Sequence, residues 1–120
     1  MKEPRDLRER TRAFAVRVMR LGDSLPRNRS ANVIAYQLVR SATSVGAHYR
    51  EGIRSRSDAE LISKLEAALQ ELDESAYWLE LLAESGIVRA PKLVGLRQEA
   101  EELLKILVVC VKKVKARRRR

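Results

Sequence analysis

The sequence is poor in everything that builds a β-sheet or a disulfide framework. Its 120 residues hold one Cys, one His, one Trp, one Phe, three Pro and five Gly, and aromatic residues make up only 4% of the chain. The lone Cys110 has no partner for an internal disulfide; it sits in an apolar stretch and reads as a buried thiol. The lack of a disulfide framework points to a reducing compartment. The N-terminal stretch MKEPRDLRER has no apolar signal region, and no apolar run approaches the roughly 18 residues that cross a bilayer. A cytoplasmic protein without membrane contact is therefore expected. There is no Ser-His-Asp set, glycine-rich phosphate loop or cluster with metal-ligand spacing, so neither an enzyme nor a cofactor is expected.

What the chain does contain is helix-forming material. It is 45% hydrophobic and 34% charged, and Ala, Leu, Arg, Glu and Val dominate. Leu7, Phe14, Val18, Leu21 and Leu25 mark one face of a first helix opening near Asp6, which with Glu9 makes a D-x-x-E variant of the capping box. Pro26 ends it. A second helix is expected from about Ser30 to Arg54, with a stripe of Ile34, Leu38, Ser41, Val45 and His48 that turns small and polar in its second half. Ser57 and Glu60 form an S-x-x-E box before the third helix, striped by Leu61, Leu65, Ala68, Leu72, Ala76, Leu79 and Leu82 and stopped by Gly86. The fourth starts at about Pro91 and runs through Leu93, Leu96, Ala100, Leu103, Leu107 and Val111 to Val114. Its stretch LLKILVVCV is apolar nearly all round, so one face calls for cover from a further partner.

Four such helices with short links predict an all-α protein, an antiparallel up-down-up-down four-helix bundle. The expected organisation is a single domain over 1–116 and a basic tail over 117–120. If the second and third helices turn around near residue 56, Val45 faces Ala68, Ser41 faces Leu72, and Arg40 lies beside Asp73 and Glu74. The expectation is an internal, structural ion pair of Arg40 with Asp73 and Glu74.

Charge is distributed unevenly. Residues 1–56 carry 13 Lys/Arg against 5 Asp/Glu, residues 57–110 carry 5 against 11, and residues 111–120 carry 7 against none. The expected topology gathers residues 1–12, 48–62 and 111–120 at one end, with 15 basic against 6 acidic side chains. That surplus equals the net +9 of the whole chain, so a basic pole is expected. Arg50, Arg54, Arg56, Lys112, Lys113, Lys115, Arg117, Arg118, Arg119 and Arg120 are its candidate phosphate contacts. A solvated tail with no dedicated partner is the bland alternative. The opposite end collects Arg27, Arg29, Arg89 and Lys92 with Tyr36, Tyr77 and Trp78, a set that either stacks on single-stranded bases or plugs the bundle end.

His48 and Glu51 stand three apart, like half of a carboxylate-bridged metal site, but one histidine cannot complete the two Glu-x-x-His pairs of a di-iron bundle. Ribonucleases of the HEPN type place four to six residues between an Arg and a His on one helix. Arg40 and His48 have seven between them, and the order of His48 and Arg50 is reversed.

RSATSVGAHYREG followed by ELISKLEAALQELDESAYWLELL resembles the four-helix bundle family named after the intervening sequences of bacterial large-subunit (23S) ribosomal RNA genes. The resemblance runs from RTRAFAVRVMRLGDSLP to the basic end. It implies a barrel-like homopentamer. It also implies kinship with accessory proteins of diversity-generating retroelements, which are basic pentamers that bind nucleic acid and a reverse transcriptase. The chain departs from the family at His48, where Asn is common, and that leaves the role of His48 open. Pentamerisation would use the apolar second face of the fourth helix, and Ala42, Gly46 and Ala47 would permit close approach. Five copies would carry +45. The expected function is thus a non-enzymatic oligomer that binds RNA or DNA through backbone phosphates. The alternative is a scaffolding oligomer with an acidic protein partner and no physiological nucleic-acid role.

Overall fold

The computed structural model describes residues 4–118. These form four helices, α1 (Pro4–Ser24), α2 (Arg29–Ile53), α3 (Asp58–Ser85) and α4 (Ala90–Arg118), and no strand occurs among the described residues. The body is elongated, 52 × 22 × 20 Å. No helix is long and apolar enough to cross a membrane among the described residues.

Local chemistry sets the helix ends. Asn28 caps α2 by accepting a hydrogen bond from the Ala31 backbone N–H at 3.0 Å. Ser57 caps α3 by accepting from Glu60 N–H at 3.1 Å. Gly86 ends α3 in the left-handed conformation at φ 75°, where a Cβ would be strained. Two boundaries differ from expectation. α1 starts at Pro4, so Asp6 lies inside the helix and is not its cap; proline tolerates a first helical position because its missing N–H has no partner there. α4 continues through Arg118, past the expected tail boundary at 117. No Gly or Pro interrupts its end, and cations there suit the negative pole of the helix dipole.

The core follows the expected stripes except at Leu21, Leu61 and Ala76, which are half-buried; on α3 the neighbouring Ile62 and Ser75 take the buried places. Leu7, Phe14, Val18, Leu38, Val45, Leu65, Leu72, Leu79 and Leu82 are buried, as are all seven stripe residues of α4 from Leu93 to Val114. Two polar positions unmarked by the stripes are also buried, Thr11 and Ser75. In the last turns of α2 the buried side chain is Tyr49, while His48 is half-buried at the margin. The step of one residue rotates the face by about 100° and follows the drift of an apolar stripe around a straight helix.

α2 packs extensively on α3, α3 on α4 and α1 on α2, whereas α1 meets α4 over a shorter stretch. Across α2 and α3, Ser41 meets Ser75 and Gly52 lies against Leu61 and Lys64, so residue numbers rise on one helix as they fall on the other. Ser75, not Leu72, is therefore the hydrogen-bonding partner of Ser41, about one turn along α3 from the expected level. Cys110 is half-buried, and burial pushes its thiol pKa up.

A candidate nucleic-acid interface

The α2–α3 turn follows from sequence composition. Arg54 closes α2, with its N–H bonded to the Gly52 carbonyl, and Ser55 bonds the same carbonyl through its hydroxyl at 2.6 Å. Gly52 is buried against α3, where a Cβ would come within 3.1 Å of the Lys64 Cβ. The chain thus reverses tightly, and Arg50, Arg54 and Arg56 are left exposed around the turn.

The end of α4 reaches the same place. Arg117 donates to both carboxylate oxygens of Asp58 at 2.7 and 3.1 Å, and Lys115 pairs with Glu66 at 2.9 Å. The Asp58 carboxyl is held below its usual range by that guanidinium, with a smaller contribution from Arg118. Two of the candidate phosphate contacts, Lys115 and Arg117, are therefore already occupied by carboxylates of α3. Arg50, Arg54, Arg56 and Lys112 are exposed and make no ion pair among the described residues. Arg119 and Arg120 lie outside the described residues.

α1 completes the basic surface. A cleft of about 290 Å³ between α1 and α2 is lined by Arg8, Thr11, Arg12, Ala15, Thr43, Gly46, Ala47 and Arg50. Arg8 and Arg12 are not individually marked in the sequence, where Asp6 and Glu9 stand among the arginines of the same stretch.

Arg40 meets Glu74 as expected, but its second carboxylate is Glu71 and not Asp73. It bonds Glu71 at 3.2 Å, also contacts Glu74, and reaches Gln37 through Nε at 3.0 Å. Asp73 is not a partner. Two residues along a helix are rotated by about 200°, so Asp73 falls on the far edge from Glu71. There it lines a second cleft, of about 370 Å³, with Ala76, Tyr77, Glu80, Arg97 and Glu101. The Arg40 network is also not internal, because the Arg40 side chain is 37% exposed. Glu74 additionally accepts from the Trp78 indole at 3.0 Å. That bond, with Arg40 second, holds the Glu74 carboxyl below its ordinary pKa.

The better-buried ion pair lies elsewhere. Arg10 on α1 grips Glu99 on α4 with two bonds of 3.1 and 2.7 Å and reaches Glu102 at 2.9 Å, while only 16% of its side chain is exposed. Nothing in the sequence marks a pair separated by 89 positions.

His48 Nδ1 stands 3.5 Å from a Glu51 oxygen, too far for a strong hydrogen bond, and Glu51 pairs with Lys64 at 3.2 Å. Among the described residues no group of three or more His, Cys, Asp or Glu could hold a metal ion. At the opposite end Tyr36 is 67% exposed, and Tyr77 packs on Trp78 with ring centroids 5.1 Å apart.

Four helices around one core, with carboxylates along α3 and, at its start, cations that have no ion-pair partner among the described residues, define a small helical protein with a polarised charge. The chain belongs to the 23S rRNA-intervening sequence protein family, whose model matches residues 5–109. Among solved structures it is similar to a protein of unknown function of the S23 ribosomal protein family from Bacteroides thetaiotaomicron. That likeness has 32% identity and a TM-score of 0.85, and covers 91% of this chain and 97% of the other. No curated protein matches the chain.

Proposed function

We propose that the chain is a non-enzymatic, cytoplasmic, homo-oligomeric bundle that binds RNA or DNA by its backbone phosphates through one basic pole. The observation that carries this reading is the concentration of exposed Arg50, Arg54, Arg56 and Lys112 with no carboxylate partner among the described residues. Cations beside them, Lys115 and Arg117, are neutralised by α3. Unpaired guanidinium groups are suited to phosphate because their N–H forks match its oxygens and release its counterions.

The oppositely rising contacts of α2 and α3, and the meeting of the α4 end with the start of α3, support an antiparallel up-down-up-down arrangement. Val94, Val108 and Val109 on α4 are 38–48% exposed, which supports association through that face. A homopentamer is the state that the family resemblance implies. It would multiply weak phosphate contacts by avidity.

An exposed Val33 and Tyr36 on α2 favour a second reading, a scaffold for an acidic or genomically linked protein such as a reverse transcriptase. Electrophoretic binding to mixed RNA and DNA oligonucleotides at low salt, with light scattering on the free protein, separates the two. The first reading expects oligonucleotide binding by an oligomer. No binding at low salt contradicts it, and a monomer contradicts the pentamer.

A further inference from the structure

The α1–α2 cleft has a construction that the basic pole alone does not require. Arg8 and Arg12 sit four apart, on one face of α1, and Thr43, Gly46, Ala47 and Arg50 form one face of α2 opposite. The helices approach closely here because Gly46 lacks a side chain. A Cβ at that position would meet Thr11 Oγ1 at 3.3 Å and the Thr11 backbone at 3.7 Å. The floor is therefore built of small residues, and the three arginines form its rim.

The polar atoms of the cleft divide into two kinds. Thr11 spends its hydroxyl proton on the Leu7 carbonyl at 2.8 Å, and Thr43 spends its own on the Val39 carbonyl at 2.8 Å. The donors left over are guanidinium N–H groups. No carboxylate lines the cleft and none pairs with Arg8, Arg12 or Arg50 among the described residues. Three like charges around one concavity repel one another, and an anion in the middle reverses the sign of that interaction. Paired N–H forks fit the two non-bridging oxygens of a phosphate, and the small-residue floor lets the group sit between the helices.

We propose that this cleft is a phosphate seat in which Arg8, Arg12 and Arg50 converge on one phosphate group. The source of the phosphate rests on the reading above: in a nucleic-acid complex it is a backbone phosphate. The strand then crosses from the α2–α3 turn onto α1, and does not stay at the tip of α4. Arg50 belongs to both surfaces and joins them.

The test is anisotropy of a labelled mixed-sequence single-stranded RNA across a salt series, with the full chain and two double variants. Arg8→Ala/Arg12→Ala removes two rim cations, and Arg97→Ala/Lys105→Ala removes the same charge from α4. The proposal expects at least about a tenfold loss for the first variant. Its log–log salt slope should fall by about 1.4, corresponding to two single-strand phosphate contacts. The second variant should retain the wild-type slope. Equal behaviour of the two variants, with the wild type binding, overturns the seat and leaves the basic-pole reading standing. If the wild type binds no RNA, that reading fails, and the seat is tested with inorganic pyrophosphate by NMR of the arginine Nε–H resonances. Saturable shifts of Arg8, Arg12 and Arg50 then assign it to a free phosphorylated ligand; no shifts overturn it. Circular dichroism verifies that both variants stay folded, as expected for exposed side chains.

Discussion

Ser41 of α2 and Ser75 of α3 meet hydroxyl to hydroxyl at 2.8 Å in a core from which both side chains are fully excluded from solvent. Ser75 donates to the Glu71 carbonyl at 2.9 Å, whereas the Ser41 bond to Leu38 is longer at 3.2 Å. The contact between the hydroxyls uses one proton, so whichever serine donates across the interface gives up its own backbone bond to do so.

This arrangement makes the serines a coupled pair. Ser41→Ala and Ser75→Ala are each expected to cost about 1 kcal/mol in chemical denaturation, and the double variant less than the sum. Strict additivity would show that the hydroxyls act independently through their own helices.

The two arginine networks should differ in weight. Arg10→Ala strips Glu99 and Glu102 of their shared partner in a mostly buried position and is expected to cost about 1.5–3 kcal/mol. Arg40→Ala removes a more exposed network and should cost at most about 1 kcal/mol. Asp73→Ala should change stability by no more than about 0.5 kcal/mol. Thermal melts of the three variants read the order directly, and an Asp73→Ala loss as large as that of Arg10→Ala would contradict it.

Glu74 gives the Arg40 network a defined pH response. Its folded pKa is lowered by the Trp78 indole and then by Arg40. A lowered carboxylate pKa contributes stability above the unfolded value, and that stability is lost as pH falls through the folded value. The stability gap between wild type and Glu74→Gln should thus narrow as pH drops below 4.5, the ordinary value for this group. A gap that widens in acid would reverse the assigned sign.

Two helical glycines should respond to alanine with opposite signs. At Gly95 only the tip of Arg17 lies near a new Cβ, at 3.0 Å, and a flexible guanidinium can move away. Gly95→Ala should therefore gain about 0.5–1 kcal/mol of helix propensity. At Gly52 the neighbours are the Lys64 Cβ at 3.1 Å and Leu61 Cδ1 at 3.3 Å, on a helix packed against α2. Gly52→Ala should lower stability by about 1 kcal/mol or more. Denaturant midpoints of the two variants check the signs.

The sequence makes the helices legible because periodicity, caps and breakers are local. Leu61 to Leu82 stripe α3, and Ser57 and Gly86 bound it, without reference to the rest of the chain. Tertiary partners are less legible, since they depend on register and on rotation about each axis. Placing Arg40 beside Asp73 takes the right level and the wrong edge of α3, because only a rotation of about 200° separates Asp73 from Glu71. Arg10 and Glu99 are joined by the meeting of α1 with α4, for which no local pattern exists. The pole is readable as a charge sum, but the sum does not reveal that Asp58 and Glu66 engage Arg117 and Lys115, nor that Arg8 and Arg12 share a cleft with Arg50.

The most direct measurement for the phosphate-binding account is the affinity of the full chain for mixed-sequence RNA as salt is raised, compared with an Arg54→Ala/Arg56→Ala/Lys112→Ala variant. Phosphate binding requires a steep linear fall of log affinity with log salt. It also predicts a variant slope shallower by about 2, corresponding to three lost single-strand contacts. Absent binding at low salt, or wild type and variant with the same slope, would contradict it.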